Sequence, residues 1–255
     1  MEMLNYKEMG EGPPLMILHG LFGSLDNWLT IGKKLADNHH VILVDQRNHG
    51  QSFHHPNFTY AAIADDLNHL VEHLGLQQPI LMGHSMGGKT IMKFSQAHPE
   101  KFNRLIVVDI APKSYPVHHE HILQAYHSVN LSSIEKRSDA EDQLKSSIKE
   151  VGVRQFLLKN LQRDKQGSFS WKINLPVIEK NIEKIGEGLP QETISDRPVM
   201  FVRGEKSDYV RDDDMELVRN IYPSAQLVTV KNAGHWIHAE QPGTFLEIVN
   251  RFITA

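Results

Sequence analysis

The chain of 255 residues contains no cysteine. Disulfides, thiolate zinc sites, iron–sulfur clusters and a cysteine nucleophile are therefore excluded from its chemistry. It also lacks a charge excess large enough to matter: 27 Lys plus Arg stand against 31 Asp plus Glu, a formal net charge of -4 with His neutral. Such a balance gives no field that would hold a polyanion, so neither nucleic acid nor an anionic membrane is an expected partner. Long hydrophobic runs are missing as well. The longest apolar stretches, residues 15–18 and 105–108, are strand-length, far below the roughly 18 residues of a membrane span. Residues 1–11, with Glu2, Lys7, Glu8 and Glu11, lack the basic and apolar regions of a secretory signal. A cytoplasmic protein without stable membrane association is the expectation. What the chain has in quantity is histidine, 16 in all.

Short apolar runs alternate with helical periods over roughly the first 110 residues. Leu15-Met16-Ile17-Leu18 predicts a buried strand ending in His19-Gly20, and Val41-Ile42-Leu43-Val44 a second ending in Asp45. Ile80-Leu81-Met82 and Leu105-Ile106-Val107-Val108 predict two more, ending in Gly83 and Asp109. Residues 60–74 place Ile63, Leu67, Leu70, Val71 and Leu74 on one helical face. Continuous apolar strands separated by helices predict an α/β fold, with a parallel sheet covered on both faces. Residues 113–196 are richer in charge, carry no strong strand, and read as helices over 119–129, 139–150, 153–161 and 176–185. They are expected to form a helical cap inserted into a core made of residues 1–112 and 197–255. Strand character resumes at 199–202 and 227–230, and a helix over 242–253 closes the chain.

Gly83-His84-Ser85-Met86-Gly87-Gly88 lies between an apolar strand and a helical run. A G-x-S-x-G in that context makes a nucleophile elbow, a sharp strained turn that presents the serine hydroxyl above the sheet's carboxyl edge. The order that goes with such an elbow is serine, then acid, then histidine. His235, in Asn232-Ala233-Gly234-His235-Trp236 after the last strand, is the candidate base, and His238 is its local competitor. Two carboxylates compete to orient it. Asp109 ends the strand after the elbow and is preferred; Asp208, in Gly204-Glu205-Lys206-Ser207-Asp208, is the alternative acid. An oxyanion hole needs two N–H donors, which points to Met86 after the nucleophile and Leu21 in the early His19-Gly20-Leu21-Phe22 loop, with Phe22 the alternative one residue on.

Together with Asp45-Gln46-Arg47-Asn48-His49-Gly50-Gln51-Ser52, these motifs resemble the α/β-hydrolase superfamily from end to end. More narrowly, the chain is similar to the YbfF-type esterases and their abhydrolase relatives. That likeness rests on residues 19–24, on Arg47-Asn48-His49-Gly50 with Asn48 where most hydrolases have Gly, and on Val108-Asp109-Ile110-Ala111-Pro112. The resemblance implies the α/β-hydrolase fold, a mostly parallel sheet flanked by helices with an inserted cap. It implies a triad of Ser85, Asp109 and His235, with Ser207 where the usual acid would stand. It also implies hydrolysis of small carboxylic esters or thioesters of short to medium acyl length, with a small-molecule ester and water as the partners and no cofactor. Asp208 departs from that pattern and keeps the second acid open.

Serine at the elbow argues against dehalogenase and epoxide-hydrolase chemistry, which uses aspartate there. Carbon–carbon bond hydrolysis, cofactor-free lyase chemistry and a ligand-binding receptor remain as alternatives on the same residues. A metal-dependent hydrolase does not fit: the paired histidines His39-His40 and His54-His55, and the run His118-His119-Glu120-His121, lack the H-E-x-x-H spacing that places two ligands on one helical face. Phe22, Phe156, Trp171 and Trp236 are expected as pocket walls, with Phe169 a further candidate. His19, His49 and His84 fall in loops that converge on one edge of the sheet.

Overall fold

A computed structural model describes residues 2–116, 119–192 and 196–254. The first half runs β1 (Tyr6–Met9), β2 (Pro14–Leu18), α1 (Leu29–Leu35), β3 (His40–Val44), α2 (Tyr60–His73), β4 (Ile80–His84), α3 (Met86–Ala97) and β5 (Leu105–Val108). Between β5 and the next long strand come α4 (Glu120–Ser128), α5 (Arg137–Leu144), α6 (Val151–Leu158), β6 (Leu161–Arg163), β7 (Phe169–Trp171), α7 (Leu175–Lys180) and α8 (Ile182–Gly186). The chain closes with β8 (Val199–Gly204), α9 (Asp214–Ile221), β9 (Gln226–Val230), α10 (Ile237–Glu240) and α11 (Pro242–Thr254). No helix among the described residues is long and apolar enough to cross a membrane.

Seven strands form one sheet in the order β1-β3-β2-β4-β5-β8-β9, parallel except for β1, which runs antiparallel to β3. Alternate residues of each strand feed two separate cores. Met16, Leu18, Leu81 and Val107 pack with Ile63 and Leu67 of α2 and with Ile91 and Phe94 of α3. Leu15, Ile17, Met82 and Val108 pack with Ile31 of α1 and with Phe245 and Val249 of α11. Because both faces are covered, neither set of alternate positions can be polar, which is why the central strands read as continuous apolar runs.

Several details of the local structure depart from the sequence reading; the helix expected over 139–150 ends at Leu144. Residues 161–171 form a small antiparallel hairpin, β6 with β7, where no strong strand is expected. Its strands are too short for a period-2 signal, and its turn is made by Asp164, whose Oδ1 accepts from Gln166 N–H and Ser168 N–H at 2.9 and 2.8 Å. The helix expected over 176–185 is broken at Asn181 into α7 and α8, with Asn181 Nδ2 donating to Val177 O at 2.8 Å. A short polar side chain that competes for backbone carbonyls favours such a break.

The loop after β3 is held by a buried ion pair. Arg47 Nε donates to Asp66 Oδ2 of α2, Nη2 donates to Asp66 Oδ1 at 2.7 Å, and Nη1 donates to Asn57 O at 2.7 Å. Both side chains are almost fully enclosed, at 8% and 1% exposure. Removing one member strands the other charge, so Arg47→Met should lower the unfolding free energy by about 3–5 kcal/mol, measured by urea denaturation. Arg47→Lys should restore little of it, since an ammonium cannot reproduce the two-pronged contact.

Candidate active site

The strained backbone points to the carboxyl edge of the sheet. Six non-glycine residues among those described have positive φ: Phe22, Asn48, Gln78, Ser85, Asp109 and Asn232. All but Gln78 lie in loops leaving the carboxyl ends of β2, β3, β4, β5 and β9. Residues held in sparsely populated conformations cluster where the surrounding structure over-determines them, commonly at functional sites.

Ser85, with φ 52 and ψ -116, stands between β4 and α3. The turn is tight enough that a Cβ on Gly83 would lie 2.2 Å from Gly87 O, and one on Gly87 would lie 2.5 Å from Leu18 O. Only glycine fits either place. Asp109 ends β5 with φ 50 and is completely buried. Its Oδ2 lies 2.7 Å from His235 Nδ1 and accepts from Ser207 Oγ, while its Oδ1 accepts from Gly204 N–H at 3.2 Å. Ser207 is thus a donor to the Asp109 carboxylate. Asp208 is not brought to His235: its side chain is 93% exposed and its nearest cation is Arg211 at 3.7 Å.

The His235 loop is fixed from several sides. Glu240 of α10 accepts from Gly234 N–H and Trp236 N–H at 2.7 and 3.2 Å, and His84 Nε2 donates to His235 O at 2.8 Å. The ring of Tyr209 stacks on the imidazole, with 4.1 Å between centroids. Sequence reasoning missed Tyr209, since a tyrosine two residues beyond Ser207 carries no spacing signal. Ser85 and His235 line one cavity of about 200 Å³; no hydrogen bond joins them among the described residues, an openness that unliganded sites of this kind often show.

The expected N–H donors are placed as follows. Neither Leu21 N–H nor Met86 N–H has an acceptor among the described residues, and both residues border Ser85 in a second, smaller space. Phe22 N–H is engaged, donating to His49 Nε2 at 3.2 Å. This bond also fixes a tautomer: His49 Nε2 must be bare, so Nδ1–H donates to Arg47 O at 3.0 Å. His19 is built alike, accepting from Gln46 N–H at Nε2 (3.0 Å) and donating from Nδ1 to Gly20 O (2.8 Å). Burial pushes His19 down to about 4 and His49 to about 3, and holds His84 well below the usual imidazole range. These three are neutral braces of the loops around Ser85.

Of the expected wall residues, Phe22, Phe156 and Trp236 line the cavity. Trp171 does not. It sits on β7 and packs edge-on against Tyr126, centroids 4.9 Å apart, because the hairpin turns it into the packing beneath α4. Phe169 likewise lies away from the cavity, beneath the Arg163 guanidinium. The walls that sequence reasoning missed include His119 just before α4, His121 and Ile122 within it, and Val153 of α6. His238 is buried, stacked at 4.0 Å on Trp28, and does not line the cavity. His118 lies outside the described residues. Among those described, no three His, Asp or Glu side chains are grouped so as to hold a metal ion.

Asn48, with φ 64 where glycine is usual, makes contacts that glycine could not. Its Oδ1 accepts from His55 N–H at 2.9 Å and from Asn174 Nδ2 at 3.1 Å, while its backbone O accepts from Asn174 N–H at 2.9 Å. Asn160 makes a second tie, donating from Nδ2 to Phe22 O at 2.7 Å. Both ties join the helical segment after β5 to loops of the sheet's carboxyl edge.

Residues 13–147 match the family described as alpha/beta hydrolase fold. The chain is 39% identical over 254 residues to a zebrafish (Danio rerio) protein named sn-1-specific diacylglycerol lipase ABHD11, covering 96% of this chain and 79% of that one. It is 34% identical over 241 residues to Esterase YbfF of Escherichia coli, covering 94% and 92%. A solved structure titled Marine microorganism esterase superposes with a TM-score of 0.96 at 43% identity, over 99% of this chain and 100% of that one. With the elbow, the sheet order and these likenesses in agreement, the chain belongs to the α/β-hydrolase family.

Proposed function

We propose that this chain is a serine carboxylesterase, hydrolysing small carboxylic esters or thioesters through an acyl-enzyme. The observation that carries the reading is His235 Nδ1 at 2.7 Å from the buried Asp109 Oδ2, beside a cavity that Ser85 also lines. A carboxylate on Nδ1 fixes the tautomer whose Nε2 is free to accept a proton. In the proposed cycle His235 takes the Ser85 proton as Oγ attacks the ester carbonyl, and the oxyanion rests on the Leu21 and Met86 N–H groups. The alcohol or thiol leaves with the proton from His235. Water then attacks the acyl-serine carbonyl, losing its proton to His235, which passes it to Ser85 Oγ as the acyl bond breaks and the carboxylic acid leaves. Ser207 and the Gly204 N–H hold the Asp109 carboxylate aimed at His235. The relatives named as an esterase and as a lipase support an ester substrate.

Residues 113–196 are proposed to act as the cap of this site. Support comes from α4 and α6, which supply Ile122, Val153 and Phe156 to the cavity, and from the Asn160 and Asn174 ties. The test is rapid mixing of the protein with p-nitrophenyl acetate. The expected result is a burst of one p-nitrophenol per chain followed by steady turnover, with acetyl recovered on the peptide containing Ser85. If no ester or thioester is turned over while ligands still bind, the chain is a receptor of this fold and the enzyme reading is wrong.

A further inference from the structure

Ser85 stands at the meeting point of two unequal spaces. The larger, about 200 Å³, contains His235 and Trp236. The smaller, about 30 Å³, borders Ser85 and Met86, is lined by Tyr60, Ile110, Tyr115, Ile182 and Ile185, and does not include His235. If the esterase reading holds, chemistry assigns each space to one half of the substrate. The leaving oxygen must receive its proton from His235 and therefore lies on the His235 side. The acyl chain, bonded through its carbonyl carbon to Ser85 Oγ, extends the other way.

We propose that the small chamber receives the acyl group and the larger cavity the alcohol or thiol, so that the chain is selective for short acyl groups on bulky apolar leaving groups. The chamber is several times smaller than the cavity that holds His235, which suits short acyl groups. Its end wall is bolted in place. Tyr60 OH donates to Ile185 O at 2.9 Å, and Tyr115 N–H donates to Gly186 O at 2.8 Å. Lys89, one helical turn after Ser85 and only 1% exposed, donates from Nζ to Gly186 O at 3.2 Å and to Glu187 O at 2.5 Å. The rings of Tyr115 and Tyr60 lie 4.9 and 5.6 Å from the same ammonium. No step of the proposed cycle uses Lys89. A buried amine fastened to the carbonyls at the end of α8 makes it a positioning residue for the chamber wall, and a wall so fastened cannot yield to a longer chain.

The test is kcat/KM for p-nitrophenyl acetate, butyrate, hexanoate and octanoate with the unaltered protein, Ile185→Ala and Lys89→Met. The unaltered protein should lose at least tenfold between butyrate and octanoate. Ile185→Ala should recover most of that loss, and Lys89→Met part of it, mainly through KM for the longer esters. Phe156→Ala, in the larger cavity, should instead change the discrimination between p-nitrophenyl and 2-naphthyl acetates and leave the butyrate-to-octanoate ratio alone. Octanoate hydrolysed as well as butyrate by the unaltered protein would overturn the assignment while leaving the esterase reading intact. So would an Ile185→Ala ratio that does not move, or a Phe156→Ala ratio that does. No turnover of any ester overturns the esterase reading itself, and this assignment with it.

Discussion

Ser85→Ala should lower kcat on p-nitrophenyl butyrate by about a million-fold, and Asp109→Asn by about 10,000-fold, whereas Asp208→Asn should stay within about twofold of the unaltered protein, the mild effect expected of an exposed site. The ranking follows from what each side chain touches. Ser85 is the proposed bond-forming atom, so nothing replaces it. Asparagine keeps the size of Asp109 but can present an NH₂ to His235 Nδ1, which favours the tautomer with Nε2 protonated and unable to take the serine proton. Asp208 faces solvent and Arg211. Double replacement of Ser85 and Asp109 should cost scarcely more than Ser85→Ala alone, because the groups act as one unit. A dead Asp208→Asn beside a nearly normal Asp109→Asn would reverse the proposed assignment of the acid.

The parts of this molecule legible in its sequence are those set by local pattern. The central strands announce themselves because both sheet faces are covered, and the elbow because glycine is needed at Gly83 and Gly87 on steric grounds alone. β1 is not legible: Tyr-Lys-Glu-Met at an edge, paired on one side and half exposed, has no reason to be apolar. Asp109 and Asp208 are equally acidic in a sequence. What separates them is direction, since Asp109 turns inward at positive φ and Asp208 turns out. Tyr209 on His235, Asn174 on Asn48 and Lys89 on Gly186 are contacts between distant segments, and no spacing within one segment encodes them. Trp171 illustrates the opposite error: an aromatic residue chosen for its size belongs to the packing below the site.

The histidines carry the second large expectation, a steep loss of stability in mild acid. His19, His49, His84 and His238 are buried with their pKa values depressed, to about 4, 3 and 3 for His19, His49 and His238. In the unfolded chain each returns to about 6.5. Below that pH the unfolded state binds protons that the folded state refuses, so stability is fully present above pH 6.5 and is lost as pH falls toward the folded values. Four such groups give a slope of about 5 kcal/mol per pH unit, set against a typical total of about 5–15 kcal/mol. Urea midpoints should therefore fall sharply between pH 6.5 and pH 5, with little change between pH 8 and pH 7. Why the fold tolerates this follows from the bonds: a neutral imidazole offers one donor and one acceptor on a rigid ring, as His19 and His49 use to join two loops each. His238 is the clean test. It stacks on Trp28 and its Nδ1 has no partner, so His238→Phe keeps the stack while removing one titrating group. The pH slope should drop by about 1.4 kcal/mol per pH unit. An unchanged slope in that variant would place the acid sensitivity elsewhere.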